Sequence, residues 1–287
     1  MFAVFKRELR AYFQTPTGFI FMGLFLLLTG IYFTFGNLLT GSSFFTNFLG
    51  SILFIYLFAI PLLTMRLFSE EKRQKTDQLL LTNPVSVTAI VCGKFLAATV
   101  VYIGTLLFTV LYAIVIAMYG DLQVWETFGS YIGIIFLGMC YISLGIFISA
   151  GTENQITAAL ISFFALMFIW LIDSMVQMIP SDTRTGIISA VVLLAAILLF
   201  LFLNTKNWVI VLGTAAAGAL VITGFYLFNP GVYYGFIQRF LGWFSLNRRY
   251  DAFTMGLLKY DALVYYASFS FLFLFLTVRK IEKRRWN

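Results

Sequence analysis

The chain has 287 residues, of which 61% are hydrophobic and only 11% charged, with a net charge of +7 and a mean hydropathy of +0.94. Soluble domains carry about 25% charged residues, so this composition excludes a soluble globular protein and indicates an integral membrane protein. The absence of histidine excludes imidazole metal ligands, histidine proton relays and histidine-based triads. Cys92 and Cys140 lie in or beside apolar runs without a partner at a useful spacing, which suggests neither a disulfide framework nor a thiolate metal site.

Apolar runs of about 17 residues or more, the length needed to cross hydrocarbon, recur along the chain. The first run lacks a small-residue cleavage site, so we expect it to remain as a span. The fold prediction is an all-α polytopic helical bundle, with residues 1–287 forming a single transmembrane domain. The eight predicted spans are 17–38, 48–65, 88–118, 128–149, 156–179, 187–203, 208–228 and 261–278.

Eight spans place both termini on the same side of the membrane. Of the 19 lysines and arginines, 14 fall on that side and 5 on the other, and four of those five lie in the single segment 229–260. The positive-inside rule therefore predicts a multi-pass protein of the cell (inner) membrane with both termini in the cytoplasm. Residues 66–87 then face the cytoplasm.

The first 16 residues form an amphipathic pattern that Pro16 ends. Such a helix lies in the plane of the membrane interface, in contact with lipid. The apolar face of the pattern consists of Phe2, Phe5, Leu9, Tyr12 and Phe13.

Residues 66–87, RLFSEEKRQKTDQLLLTNPVSV, interrupt two apolar runs with charge. The pattern predicts Ser69 as an N-cap, with Glu70 and Glu71 in the first helical turn and Glu71 and Lys75 as a favourable i,i+4 pair. The predicted helix runs into three leucines, Leu79, Leu80 and Leu81, and stops at Asn83-Pro84, after which Ser86 or Thr88 caps the next helix. The alternative is an ordinary solvated connector, which the leucines disfavour because they need a surface to bury against.

Three later segments have distinct patterns. The span 88–118 is about 46 Å long at 1.5 Å per residue, so it should protrude into the cytoplasm with Lys94 near its inner end. The spans within 187–228 form a hairpin joined by NTKN. In 229–260, one apolar helical face predicts an outer helix at the membrane surface, and NRRYDAFTMGLLKYD predicts a second outer helix or a re-entrant piece. That apolar face consists of Phe236, Ile237, Phe240, Leu241 and Phe244.

The stretch EEKRQKTDQLLLTNPVS followed by GKFLA resembles the first cytoplasmic loop of ABC type-2 export permeases. Within that family, it is most similar to the branch of gliding-motility and nitrous-oxide-reductase maturation permeases. The resemblance extends to KRELRAYFQTPTGFIF near the start, GTENQITA at 151–158 and LFLTVRKIEKRRW at the end. The extra hairpin at 187–228 departs from the family's usual six spans.

The resemblance implies an N-terminal connecting helix and a coupling helix within 69–90 that contacts a separate ATP-binding subunit. It also implies that the ATP-binding subunit is a dimer. A second permease, identical or related, would enclose the transport path together with this chain. ATP and magnesium would bind the partner ATPase, and we expect no cofactor in this chain. The residues that the resemblance assigns to ATPase docking are Ser69, Glu70, Glu71, Lys72, Arg73, Lys75, Asp77, Leu79, Leu80 and Leu81.

Two further acids have two interpretations each. Glu153, in GTENQ, resembles a residue of the family's second inner loop, which would be a second ATPase contact, or it belongs to a simple polar turn. Asp173 is either a residue near the outer interface or a polar contact in the pathway or dimer interface. Gly129 with Gly133, and Gly213 with Ala217, are small-residue pairs that allow close helix packing within one subunit or between subunits.

An ATP-binding motif is absent from the sequence, because its only Gly-Lys pair, Gly93-Lys94, is followed by Phe and lacks the preceding glycine pattern. We therefore predict a transport subunit rather than an enzyme, with no nucleic-acid partner. The alternative function is an ATP-independent secondary transporter or channel, which would require buried ionisable residues or broken helices at the midplane, and these are scarce here. The sequence leaves the cargo open.

Overall fold

The computed structural model describes residues 1–76 and 86–286, and every regular element in these two ranges is a helix. The chain forms two compact units, Met1–Phe168 with Leu246–Asn287, and Ile169–Ser245. The helices are α1 Phe2–Gln14, α2 Pro16–Phe33, α3 Phe45–Thr64, α4 Arg66–Arg73, α5 Val87–Phe108, α6 Val110–Tyr119, α7 Val124–Ser149, α8 Gln155–Met178, α9 Thr183–Thr205, α10 Trp208–Phe228, α11 Phe236–Phe244, α12 Asn247–Thr254 and α13 Tyr260–Trp286.

Within the described residues, eight helical segments are long and apolar enough to cross a bilayer, which confirms the predicted all-α polytopic fold and its eight spans. The segments are Pro16–Leu38, Phe45–Arg73, Val87–Tyr119, Val124–Ser149, Gln155–Val176, Thr183–Thr205, Trp208–Phe228 and Tyr260–Lys283. The protein is therefore a multi-pass membrane protein.

Local sequence explains where several helices begin and end. Extended backbone at Thr15 separates α1 from Pro16, which occupies the first turn of α2, where a missing N–H has no cost. Ser86 caps α5 by accepting a hydrogen bond from Ala89 N at 3.3 Å, which confirms one of the two predicted caps. The long span predicted at 88–118 breaks into α5 and α6 at Thr109, whose hydroxyl donates to the Leu106 carbonyl.

Helix α7 lies at the centre of the first unit and packs against α3, α4, α5, α12 and α13. Its glycines allow these close approaches. Any Cβ on Gly138 would overlap the ring of Tyr102, and one on Gly133 would overlap Phe253 and Tyr250 of α12. The Gly129 and Gly133 pair thus packs against a helix of the same subunit.

Helix α12 buries one face within the first unit, with Asn247, Tyr250 and Phe253 at the interior. Tyr141 of α7 donates its hydroxyl to Asn247 Oδ1 at 2.7 Å, and Tyr266 of α13 donates to the Leu246 carbonyl at 2.9 Å. The segment NRRYDAFT is therefore a helix that packs among the spans, and its re-entrant placement in a membrane stays a prediction.

The second unit is built on a helical hairpin of α9 and α10. Lys206 adopts left-handed backbone (φ 49°) at the end of α9, and Asn207 caps α10 by accepting from Val209 N at 2.9 Å. Gly218 of α10 receives the side chain of Leu194 of α9. The amphipathic helix predicted at 236–244 is present as α11.

Candidate functional site

Four elements of the first unit meet at one end of the bundle: α1, α4, the beginning of α5 and the end of α7. Gly93 of α5 allows α1 to approach closely, since an added Cβ there would lie 3.1 Å from Val4 Cβ and 3.2 Å from the Met1 carbonyl oxygen. This end of the bundle contains the predicted docking residues from Ser69 to Arg73.

A cluster of four charged side chains joins three of these elements, and we call it the Lys94 cluster: Arg7, Glu8, Glu71 and Lys94. Lys94 Nζ lies 3.2 Å from Glu8 Oε1 and 2.9 Å from Glu71 Oε1, and it donates to the Leu67 carbonyl at 2.6 Å. Arg7 Nη2 contacts the same two carboxylate oxygens at 2.8 and 2.9 Å. Only 1% of the Lys94 side chain is exposed, whereas 53% of Arg7 is exposed.

The environment of Glu8 favours its ionised form. Burial by itself would raise the pKa of this carboxyl group, but the charges and hydrogen bonds of Lys94 and Arg7 outweigh burial and hold the pKa below its ordinary value of 4.5. Burial by itself would lower the pKa of Arg7, but the charges and hydrogen bonds of Glu8 and Glu71 outweigh burial and raise the pKa above its ordinary value. The cluster is thus a set of two cations and two anions that is stable at neutral pH.

Replacing Glu8 by Gln is expected to lower the unfolding free energy by about 2 kcal/mol at pH 7, because a charge-assisted pair with a buried lysine is lost. Since the pKa of Glu8 is lower in the folded state, its contribution is complete above pH 4.5 and is lost as the pH falls through the folded value. The melting temperatures of wild type and Glu8→Gln in detergent should therefore converge below pH 4.5. Two parallel curves over pH 3.5–7 would contradict this assignment.

The end of α7 binds the beginning of α4 through Ser149. Its hydroxyl oxygen accepts hydrogen bonds from Phe68 N at 3.1 Å and Ser69 N at 3.3 Å, and it donates to the Met65 carbonyl at 3.0 Å. Next to it, Lys72 Nζ donates to the Ala150 carbonyl. Helix α4 is therefore attached to α7 by polar contacts as well as to α5 by the Lys94 cluster.

Helix α1 is also bound to the α3–α4 junction. Tyr12 is buried and donates its hydroxyl to the Leu63 carbonyl at 2.7 Å. Arg66 donates to the hydroxyls of Thr15 and Thr17, beyond the end of α1, and forms an ion pair with Glu70 at 3.4 Å. In contrast, Phe2 and Phe13 on the predicted apolar face are exposed, as expected for a face that contacts lipid.

The predicted local structure of 66–87 is wrong in three respects. Ser69 is not an N-cap: α4 begins at Arg66, directly after Met65 in helical backbone, and the buried Ser69 hydroxyl donates to the Met65 carbonyl. The helix does not continue from Ser69 towards the leucines as predicted: α4 ends at Arg73, and Lys75 has left-handed backbone with a φ of 57°. Glu71 pairs with Lys94 and Arg7 rather than with Lys75.

The predicted docking residues fall into three groups. Ser69, Glu71 and Lys72 contact other helices of this subunit, whereas Arg73 and Lys75 are exposed and Glu70 is partly exposed. Asp77, Leu79, Leu80 and Leu81 lie outside the described residues, as does the Asn83-Pro84 stop. Docking of an ATPase by this set stays a prediction.

The two additional acids differ in what the structure shows. Glu153 is exposed in the turn between α7 and α8, three residues after the Ala150 carbonyl that Lys72 contacts. Asp173 belongs to α8 in the second unit, and its side chain is outside the part that the structure describes. A role for either residue stays a prediction.

Sequence reasoning missed Glu8, Lys94 and Ser149 as members of this site. Two signals pointed to the ion pair: Glu8 is the only acid in the first 16 residues, and Lys94 is the only charged residue within the predicted span 88–118. A charge in a span is expensive and normally has a partner. Ser149 gave no comparable signal, because an apolar span often ends in a small polar residue.

An apolar groove of about 750 Å³ opens between α2, α3 and the first half of α8. Its lining is almost entirely hydrophobic and includes Leu28, Phe58, Leu160 and Phe163. Tyr32 contributes a hydroxyl group to this lining. Apart from this hydroxyl, the groove offers little hydrogen bonding to a polar ligand.

Comparisons with known proteins agree with this architecture. Residues 6–184, more than half of the chain, match the family described as ABC-2 family transporter protein. This range contains most of α1, all of α4, the Lys94 cluster and the residues that line the apolar groove. A comparison with curated proteins gives no match. The chain belongs to the ABC-2 transporter family and is a permease component of an ABC transporter rather than an enzyme.

Proposed function

We propose that the chain is the membrane-spanning permease of an ATP-driven exporter whose motion comes from a separate dimer of ABC ATPase subunits. ATP and magnesium bind to that partner, and closure of its two subunits pushes on α4 from the cytoplasm. The movement of the spans is then rigid-body gating. Both termini lie in the cytoplasm of a cell (inner) membrane in this proposal, in agreement with the 14 to 5 distribution of basic residues.

The observation that supports this proposal best is the spatial proximity of the two predicted docking loops. The exposed residues that follow α4 and the α7–α8 turn with Glu153 are far apart in sequence, yet Lys72 and Ser149 connect their bases. A single partner surface can therefore contact both loops. Helix α4 is connected in turn to α1 and α5, so a push on the docking surface reaches several helices.

We further propose that a second permease, identical or related, covers the apolar groove between α2, α3 and α8. The groove exposes large apolar side chains such as Phe54 and Leu160, which a paired subunit would cover. The resemblance to gliding-motility and nitrous-oxide-reductase maturation permeases supports this arrangement and supplies the branch that we propose. The transport path lies between the paired subunits.

Charge reversal of the exposed pair Arg73 and Lys75 is expected to reduce ATPase binding at least about tenfold, because rim charges guide and hold an electrostatically complementary partner. The tagged permease is purified from cells that contain its native partners, and the bound ATPase is measured by ATP hydrolysis and by photolabelling with an azido-ATP. The melting temperature should stay within about 1 °C of wild type, since both side chains are at the surface.

The matched control is Lys259→Glu, an exposed cation that lies on the opposite side of the membrane in the proposed topology. It should retain the wild-type amount of ATPase. A wild-type permease that purifies without any azido-ATP-labelled subunit, and that still moves solute in liposomes, would favour an ATP-independent transporter or channel over this proposal.

A further inference from the structure

Lys94 is a buried cation whose three N–H donors are all used by other helices. Its acceptors are Glu8 Oε1 of α1, Glu71 Oε1 of α4 and the Leu67 carbonyl of α4. An ammonium group has three donors and no acceptor, so this set satisfies it completely. The Phe68 ring, also of α4, lies 4.9 Å from Nζ. One atom of α5 therefore connects α5 to α1 and α4.

The energetic cost of this arrangement argues for a role other than stability. Burying an ammonium group costs several kcal/mol, and replacing a buried ion pair by apolar residues is often neutral or stabilising. Arg7 contacts the same two oxygens from the exposed side, so the carboxylates have a cation even without Lys94. What Lys94 adds is a fixed distance between three helices, because charge-assisted hydrogen bonds are short and directional.

Lys94 lies between the proposed docking surface after α4 and the membrane-spanning part of α5. Glu71 is two residues before Arg73, where α4 ends and the exposed stretch begins. Lys94 is seven residues after Val87, the first residue of α5, and the span that begins with α5 continues through the break at Thr109 and α6 to Tyr119. A displacement of α4 therefore acts on α5 close to its beginning.

We propose that Lys94 is the positioning residue that transmits a displacement of α4 to α5 and α1. This inference rests on the proposed function. The Lys94 cluster makes the three helices move as one rigid body, and the ammonium group is its centre. Arg7 lies at the solvent side of the same cluster and is not required for the transmission.

The central variant is Lys94→Met combined with Glu8→Gln and Glu71→Gln, which removes the charges together and leaves no buried ion without a partner. Arg7→Gln is the matched control, since Arg7 contacts the same carboxylates from solvent. Two single variants separate the connections: Glu71→Gln should loosen α4, and Glu8→Gln should loosen α1. They also provide the test if the triple variant does not fold.

The first measurement is hydrogen exchange of the chain alone in lipid nanodiscs. Amides of α1 and α4 should exchange about tenfold faster in the triple variant, while those of α7 and α13 stay as in wild type. Arg7→Gln should stay within about twofold of wild type. Wild-type exchange of α1 and α4 in the triple variant, or in both single variants if the triple does not fold, would overturn the proposal.

The second measurement follows motion in the complex with the ATPase that wild type captures. A nitroxide on Met118→Cys, 71% exposed in α6, is combined with Cys92→Ser so that one accessible cysteine remains among the described residues. The wild-type spectrum should change between the ATP-free and ATP–vanadate states. In the triple variant, or in Glu71→Gln if the triple does not fold, this change should be lost although the bound ATPase still hydrolyses ATP.

The outcomes separate the two proposals. A stable triple variant that keeps the ATP-dependent spectral change would show that Lys94 only holds the helices together, and the inference would be wrong. A wild-type chain that captures no ATPase would refute the proposed function. The exchange measurement on the chain alone would then decide by itself whether Lys94 joins α1, α4 and α5.

Discussion

A Gly138→Ala variant is expected to be less stable than wild type by about 1–3 kcal/mol and to melt at a lower temperature in detergent. The new Cβ would overlap the Tyr102 ring. That ring cannot move aside easily: it is fully buried, its hydroxyl is hydrogen-bonded to Tyr56, and it also donates to the Ile134 carbonyl at 2.8 Å. Relief of the overlap must therefore separate α5 from α7 or break this hydroxyl pair.

Gly104→Ala is the matched control for this prediction. Gly104 is in α5, like Tyr102, and an added Cβ there meets no atom within 4 Å. Alanine is favoured over glycine in a helix by about 1 kcal/mol, so this variant should be as stable as wild type or more stable. Equal melting temperatures for the two variants would show that the α5–α7 contact is looser than described.

The spans could be predicted from sequence because they depend on local composition. Each apolar run needs only its length and the bilayer to become a helix, so all eight predicted spans correspond to eight helical segments. The boundaries at Pro16 and Ser86 follow from residues that act within a few positions of themselves. The break at Thr109 could not be predicted in the same way, since the Thr109 hydroxyl also pairs with Tyr131 of α7 at 2.9 Å.

The site could be predicted only in part, because its contacts join residues that are far apart in sequence. Arg7 and Glu71 are separated by 64 positions, and Ser149 and Phe68 by 81. The charge pattern located the loop, but it assigned Glu71 to its neighbour Lys75 because local rules consider only i,i+4 partners. Ser69 resembled an N-cap for a related reason: N-cap rules assume that the chain enters from extended backbone, and here it enters from α3.

The contacts of Glu71 and Lys72, which are partly buried, change how the predicted coupling helix would work. In a projecting helix, these charges would contact the ATPase directly. In the structure Glu71 contacts α1 and α5, and Lys72 contacts the Ala150 carbonyl at the end of α7. Under the proposed function, these two residues therefore pass on a force that arrives at the exposed residues after Arg73. Charge reversal at Glu71 therefore tests the connection inside the permease, whereas reversal at Arg73 and Lys75 tests docking.

Ser149→Ala is expected to destabilise the α4–α7 connection by about 1–3 kcal/mol, because the buried amides of Phe68 and Ser69 lose the acceptor that Ser149 provides. Ser143→Ala is the matched control in the same helix. Ser143 is equally buried, but its hydroxyl donates to the Cys140 carbonyl one turn earlier in the same helix. Removing the Ser143 hydroxyl therefore takes no hydrogen-bond partner from another helix. In Ser149→Ala, the melting temperature should fall and the amides of α4 should exchange faster than in wild type. In Ser143→Ala, neither quantity should change. If Ser143→Ala changed the melting temperature and the exchange of α4 as much as Ser149→Ala does, the effect would come from α7 itself. The polar connection between α4 and α7 would then depend on the hydrogen bond from Lys72 to the Ala150 carbonyl.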